Sequence, residues 1–356
     1  MMKLLIPFLL GFLIMVPEQS IRAEEPVNTR PDLSGTYDTA TLTPLERPEF
    51  LGETKHLYKW VAELLSWAAG LGLEFASTSE SDPDREAPPV GGDGSGEAFG
   101  AGNVGGYNTF WIDPGDRAFE IDGKYRTSII IDPPNGRMPK RTPEGEARMA
   151  DNFSSFSHAN TGTASWLDHP GPGPFDGPED LALAERCLLS FAGGPPILPS
   201  LYNNYTRIVQ TDDYVMILLE MVHDARIVRM NSEHRPASYR SWLGDSIGWW
   251  EDDTLVVDTT NFRRETGLYG ADENLHLVER FSRLENGDLL YHFTVTDPTA
   301  WEAPWSGEYS WRSSDQQVYE YACHEGNYAM GGILRGARLL EQEAEQGLAS
   351  VNDAGK

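Results

Sequence analysis

The second half of the chain is a succession of short runs in which apolar and polar residues alternate, and each run ends at a turn signal. Residues 207–230 hold two runs broken at TDD, and residues 246–262 and 275–298 each have the pattern of a hairpin. Alternation with period two is typical of strands that bury one face. Successive short strands joined by tight turns predict a mainly β fold, an antiparallel barrel or sandwich with a few peripheral helices.

The first half of the chain adds a first strand, a helix and a meander of three short β runs over residues 107–137 to this prediction. Residues 33–37 alternate like a first strand, and residues 51–74 carry apolar side chains at helical spacing until Gly70 and Gly72. We expect this helix to pack on the core, because its few cations form no basic face for a membrane surface. An interfacial or lid helix is the alternative. Three more helices are predicted: one near residues 143–151, a short one that ends near Cys187, and one at residues 332–345.

The remaining segments define the predicted domain organisation. Residues 24–346 are predicted to form a single β-rich domain, although the length also suits two domains. Residues 77–106 are rich in Ser, Gly, Asp, Glu and Pro, and such a segment buries too little apolar surface to order itself. We therefore predict a flexible insert there and a disordered tail at residues 347–356.

The N-terminal segment resembles an export signal. Residues 1–23 combine Lys3, an apolar run from Leu4 to Val16, and a small residue, Ala23, at a plausible cleavage point. The run is too short for a comfortable membrane span, so an uncleaved anchor is the less favoured alternative. The mature protein is expected to be periplasmic or secreted, with no membrane span.

The charge of the chain bounds its partners. Twenty-eight Lys and Arg face 55 Asp and Glu, which gives a formal net charge of −27. Such a charge repels nucleic acid and anionic lipid surfaces, so neither is an expected partner. A small-molecule ligand or substrate is expected instead, and the sequence leaves the oligomeric state open.

Only two cysteines are present, Cys187 and Cys323. In an oxidising compartment two cysteines most simply pair, so we predict a disulfide between them. A reactive thiol is the alternative, and it would need a basic, exposed setting.

Several segments of the chain, spread over most of residues 30–340, are similar to a known group of proteins. They are PDLSGTYD with TPLERP, RTSIIIDPPNGRMP, RCLLSFAGGPPILPSLYNN, VHDARIV, WLGDSIGWWEDDTLVVDTTNF, ENLHLVERF and YEYACHEGNY. Together they resemble a large family of exported bacterial proteins without an established activity. The resemblance implies export and carries over no catalytic residue. A looser similarity is to lipocalin-like barrels, with Gly35 and Tyr37 in the places of the Gly-x-Trp on the first strand.

One candidate acid–base group lies in the run from Tyr214 to Met230. If that run is one strand, His223 lies on a face that is otherwise apolar. Two interpretations stay open: a core histidine with a hydrogen-bond partner, and an acid or base in a pocket wall. The neighbouring Asp224 is a candidate to orient a catalytic histidine.

A second pair of candidates lies in residues 275–281. His276 and Arg280 share one strand face, roughly 13–14 Å apart along the strand. In the enzyme interpretation His276 is an acid–base group and Arg280 holds an anionic group of the ligand. Alternatively, Arg280 pairs with a carboxylate such as Asp224, Glu320 or Glu325.

The C-terminal sequence VYEYACHEGNY, residues 318–328, supplies the last candidates. If it begins as a strand, Cys323 and His324 face opposite sides, so a disulfide and a pocket histidine lie back to back. Glu325 is a second candidate to orient a histidine. Candidate ligand-binding side chains are the aromatic Tyr319, Trp249 and Trp305, because such rings stack on sugars and apolar rings, although packing is the alternative.

Neither a metal nor an organic cofactor is predicted. The chain has no HExxH or His-x-His spacing, and no nucleotide-binding fingerprint. The expected function is to bind or transform a small amphipathic molecule in a barrel pocket. One alternative is a cofactor-free lyase, isomerase or hydrolase that uses the histidines, Arg280 and the carboxylates. The other is a structural envelope protein without a pocket.

Overall fold

The computed structural model describes residues 30–78, 112–151, 162–190, 194–265, 268 and 270–347. The predicted signal peptide, most of the predicted insert and residues 348–356 lie outside these ranges. The three helices of the described residues are α1 (Lys59–Thr78), α2 (Pro143–Asp151) and α3 (Tyr328–Glu345). The strands are β1 (Gly35–Asp38), β2 (His56–Leu57), β3 (Glu120–Ile121), β4 (Lys124–Arg126), β5 (Ile130–Asp132), β6 (Tyr205–Gln210), β7 (Tyr214–Leu219), β8 (Ala225–Met230), β9 (Asp245–Glu251), β10 (Thr254–Thr260), β11 (His276–Arg283), β12 (Leu289–Thr296) and β13 (Trp305–Ser314).

Nine of these strands close into a barrel. The order is β1, then β6 to β13 in sequence, and β13 pairs back onto β1. The short strand β5 pairs with the start of β13, at Ser306 and Gly307, on the edge whose end pairs with β1. Strands β2, β4 and β3 form a separate small sheet. The prediction of a mainly β fold with a barrel is confirmed.

One pair of strands departs from the predicted antiparallel pattern. β8 and β9 run parallel, with Val228 opposite Ser246. A parallel pair cannot be joined by a tight turn, and here residues 231–244 make the longer connection. The two predicted hairpins of the second half are confirmed, with Asp252 at φ 50° in one turn and Gly287 at φ 90° in the other.

The prediction of one strand from Tyr214 to Met230 is wrong. β7 ends at Leu219, and the chain reverses through a turn in which Val222 and His223 adopt φ 58° and 46°. Two consecutive non-glycine residues in the left-handed region are uncommon. The alternation of residue types runs on across the turn, which explains why the sequence pattern did not show it.

The interior of the barrel is filled by aromatic side chains and by a loop. The buried aromatic residues pack at ring-centroid distances of 4.7–6.2 Å, and they are Phe119, Phe281, Tyr291, Phe293, Trp301, Trp305, Tyr309 and Trp311. The loop of residues 194–200 enters between them. The Ile197 N–H donates to the Tyr291 hydroxyl (3.0 Å), and the Tyr309 hydroxyl donates to the Ile197 carbonyl (2.8 Å).

The helix predicted over residues 51–74 begins later and ends later, at Lys59 and Thr78. The residues before it form a 3-10 turn and β2. Gly70 and Gly72 do not end the helix because neither adopts a positive φ, so each only lowers helix stability, by about 1 kcal/mol relative to alanine. The expected packing on the core is also wrong, since Ala62 alone among the described α1 side chains is buried.

Two of the other predicted helices are confirmed as α2 and α3. The short helix predicted before Cys187 is wrong, because residues 183–187 form a turn. Among the residues that the structure describes, no helix is both long and apolar enough to span a bilayer. The strand predicted within VYEYACH is absent from the described residues, because the chain after β13 runs without regular structure into a turn at residues 323–326.

The predicted disulfide between Cys187 and Cys323 is confirmed, with Cα atoms 5.8 Å apart. It joins the segment before the barrel-filling loop to the segment before α3. The closed loop spans 136 residues, and the chain-entropy account gives a stabilisation of about 4–5 kcal/mol as an upper figure.

Candidate functional site

On the outer face of β10 and β11, two histidines contact the carboxylate of Asp258. His276 Nε2 lies 2.9 Å from Asp258 Oδ2, and His234 Nε2 lies 2.9 Å from Asp258 Oδ1. Asp258 faces outward because Val257 and Thr259, its neighbours in β10, face the interior. His234 comes from the connection between β8 and β9, which folds over the same face.

A second carboxylate, that of Asp245, contacts the other ring nitrogen of His234. His234 Nδ1 is 3.1 Å from Asp245 Oδ2, and Arg229 Nη2 donates to both oxygens of Asp245 at 2.9 Å. Carboxylate oxygens only accept hydrogen bonds, so both contacts of His234 are made when each ring nitrogen carries a proton. We call this group, His276, Asp258, His234, Asp245 and Arg229, the outer His–Asp array.

The contacts within the array shift the pKa values of His276, Asp258 and Asp245. The hydrogen bond to Asp258 raises the pKa of His276 above 6.5, although partial burial opposes it. Burial alone would raise the pKa of Asp258, but the hydrogen bonds from His276 and His234 outweigh it and lower that pKa. Burial alone would also raise the pKa of Asp245. Hydrogen bonds from the Arg235 backbone N–H and from His234 outweigh this effect and hold the pKa of Asp245 below its usual value. Both carboxylates are therefore charged at neutral pH.

His276 is the member of the array that remains open. Its side chain is 43% exposed, against 26% for His234 and 5% for Asp245. Within the described part of the chain, its Nδ1 has no hydrogen-bond partner. Apolar side chains flank the pair, because Ile247 and Val278 lie opposite Asp258 on the neighbouring strands. An imidazole fixed at one nitrogen by a carboxylate and free at the other is suited to acid–base chemistry.

The charged groups inside the barrel are arranged differently. Arg226 donates to both oxygens of Glu279, and the Tyr291 hydroxyl donates to Glu279 Oε1 at 2.7 Å. The Arg226 side chain is 5% exposed and that of Glu279 is fully buried. Burial lowers the pKa of Arg226, but Glu279 outweighs it and raises that pKa. These charges satisfy one another and leave no group free for a ligand.

The structure does not bring the three predicted histidines together in a pocket. His223 is exposed in the turn between β7 and β8, because that turn replaces the predicted strand. His324 is exposed in the turn after Cys323, so the predicted opposite facing of the two side chains on a strand does not apply. His276 and Arg280 share one strand face as predicted, but that face points outward, so the predicted position in the wall of a barrel pocket is wrong.

The predicted orienting carboxylates are also placed apart from His276. Asp224 is buried and accepts the Ser190 N–H at 2.8 Å, and burial raises its pKa. Glu325 is exposed. Arg280 pairs with none of the predicted carboxylates, since its Nη1 donates to Glu251 Oε2 at 2.7 Å, from β11 across β10 to the end of β9.

The predicted ligand-binding aromatics have three different environments. Trp305 is fully buried in the barrel, so it is a packing residue. Trp249 is half-buried on the outer face, and its indole N–H donates to Glu251 at 3.0 Å. Tyr319 is exposed, and its backbone N–H donates to the buried Glu220.

A shallow depression lies at one mouth of the barrel, lined in part by Asn204, Leu219 and Met221. It has room for about one water molecule. The side-chain amide of Asn204 already bonds the carbonyls of Asp113 and Ser200. The depression therefore offers little space and few free polar groups to a ligand.

The side chains of the array do not form a metal site. In the described ranges, no group of three or more His, Cys, Asp or Glu side chains converges on a metal-sized space. The Nε2 atoms of both histidines already bond Asp258.

Sequence reasoning missed His234, Asp245 and Asp258. The outward position of Asp258 follows from alternation in β10, so its strand face could have been found. Its meeting with His234 depends on how residues 231–244 fold back, which no local pattern encodes.

Comparisons with protein-family models, with curated proteins and with solved structures found no match. The resemblance to exported bacterial proteins and to lipocalin-like barrels therefore stays a prediction from the sequence.

Proposed function

We propose that this protein binds a small amphipathic molecule at the outer His–Asp array and that His276 exchanges a proton with it. The observation that carries the proposal is the open Nδ1 of His276 on a ring that Asp258 holds at the other nitrogen. Ile247 and Val278 would contact the apolar part of the molecule, and Thr296, paired with His276 across β11 and β12, would offer a hydroxyl.

The proposed chemistry needs no organic cofactor. Below its raised pKa, His276 would donate a proton to the bound molecule, and above it the ring would accept one. Asp258 would fix the ring orientation and stabilise the imidazolium. A lyase, isomerase or hydrolase step fits these roles. In a binding protein the same nitrogen would only bond a ligand oxygen.

A structural envelope protein is the second candidate, and the filled barrel interior favours it. Either function would be performed outside the cytoplasm. The disulfide supports a periplasmic or secreted location, because such bonds persist in oxidising compartments.

The proposal is tested by presenting the immobilised protein with a metabolite extract and identifying the retained molecules by mass spectrometry. His276→Gln keeps a donor near Asp258 but removes the titrating nitrogen, so it should lose the retained molecule. The matched control is His292→Gln, since His292 is a half-buried outer-face histidine on β12 without a carboxylate hydrogen bond in the described residues. Equal retention by all three proteins, or none by any, would contradict the proposal and favour the structural alternative.

A further inference from the structure

Helix α1 turns its large apolar side chains toward solvent. Trp60, Leu64, Trp67 and Leu71 follow one another at spacings of four, three and four residues, so they lie on one side of the helix. Their exposed fractions are 64%, 50%, 64% and 45%. We call these four residues the α1 stripe.

The opposite side of α1 carries the small residues. Ala62 is buried and Ser66 and Ala69 are half-buried, on the side that packs on the protein. This is the reverse of a surface helix, which buries its large apolar side chains. A contiguous exposed apolar patch of this kind marks an interaction surface.

The charge of the molecule argues against a bilayer as the occupant. Interfacial helices carry Lys and Arg on their polar face, but α1 has Lys59 and Glu63 as the only charged residues up to Gly72. These two lie within 3.8 Å of each other. The net charge of −27 also repels an anionic membrane surface.

The spacing and area of the α1 stripe fit another helix of the same kind. Trp60 and Trp67 are seven residues apart, and so are Leu64 and Leu71, which is the heptad repeat of two helices that pack knobs into holes. Side chains of this size, about half exposed, offer roughly 500 Å² per chain. Two such faces bury roughly 1,000 Å² in total, which is the lower end for a specific interface.

We propose that the α1 stripe pairs with the α1 stripe of a second copy of this chain and forms a weak, two-fold symmetric dimer. Each copy brings a charge of −27, so the copies repel one another at low ionic strength. Salt screens this repulsion without weakening apolar contacts, so dimerisation should increase with salt.

Sedimentation velocity of the full chain over a range of concentrations, at low and at high NaCl, tests the proposal. The dimer fraction should rise with concentration and with salt. Leu64→Glu and Trp67→Glu should each raise the dissociation constant at least tenfold, while circular dichroism shows that both variants remain folded. Val209→Glu and Ile227→Glu are the matched controls, because these exposed apolar residues lie on the outer barrel face, and they should dimerise like the unchanged chain.

Three results would overturn the proposal. They are a monomer at every concentration and salt, a dimer that survives Trp67→Glu, and a dimer lost equally in the barrel-face controls. Flotation with phosphatidylcholine vesicles tests whether a lipid bilayer covers the α1 stripe instead. A monomeric chain that floats with the vesicles through Trp60 and Trp67 would assign the α1 stripe to lipid instead.

Discussion

The barrel interior and the outer His–Asp array both place acidic and basic groups side by side, but with opposite consequences. Inside, Arg226, Glu279 and Tyr291 bond one another in a space closed by aromatic rings and by Ile197. Outside, His276 shares Asp258 with His234 and keeps one nitrogen open to solvent. Charge inside this barrel is structural, whereas the array outside retains a group that can act on another molecule.

The largest expected effect comes from breaking the interior pair. Glu279→Gln leaves the Arg226 charge buried without its counter-ion, and we expect a loss of about 3–5 kcal/mol in the free energy of unfolding. Urea denaturation measures it. The matched control is Glu273→Gln, which breaks the half-exposed pair with Arg240 and should cost about 0–1 kcal/mol. Similar losses in the two variants would mean that the interior pair is not the structural element described here.

The next effect comes from the disulfide. Replacing Cys187 and Cys323 together with serine should lower the free energy of unfolding by about 2–4 kcal/mol, because the unfolded chain gains freedom. The pKa of His276 should not change, since the array lies on other elements. A changed His276 pKa in a folded double variant would show that the two regions are coupled.

A smaller effect concerns the array. Asp258→Asn removes the negative charge of the carboxylate that holds the His276 proton, so the pKa of His276 should fall toward 6.5. Histidine ring signals followed by NMR through a pH titration measure the change. His56, which lies on β2 away from the array, is the internal reference and should titrate identically in both proteins. A His276 pKa that is the same with and without Asp258 would contradict the described hydrogen bond.

The smallest effect is on how the free energy of unfolding depends on pH. The pKa of folded His276 is raised, so its contribution is fully present below pH 6.5 and is lost as pH rises through the folded-state pKa. Partial exposure keeps this contribution below about 1 kcal/mol. The difference in unfolding free energy between the unchanged chain and His276→Gln should therefore shrink from pH 6 to pH 9. A difference in unfolding free energy that stays constant from pH 6 to pH 9 would contradict the predicted pH dependence.

The sequence predicts the parts of this fold that depend on neighbouring residues. Alternation and turn signals located β9 to β12, and the count of two cysteines located the disulfide. The face of His276 and Arg280 followed from the same alternation. Alternation and turns depend on neighbouring residues, and two cysteines allow only one pairing. These features can therefore be predicted without knowing the strand register.

The candidate site could be predicted only in part, because it forms between segments distant in sequence. His234 reaches Asp258 across 24 residues, through a connection whose parallel geometry the pattern does not show. His223 was misplaced because a turn with two left-handed residues interrupts an unbroken alternation. A filled interior likewise depends on the loop that carries Ile197, whose position no periodicity indicates.

The most direct test locates the binding of a retained molecule by NMR, using histidine ring signals and tryptophan indole N–H signals as reporters. The proposed function predicts that adding the molecule shifts His276 and His234, while Trp301 and Trp305 inside the barrel keep their signals. Shifts of the interior indoles with unchanged histidines would contradict it, because the molecule would then enter the barrel that the structure describes as full.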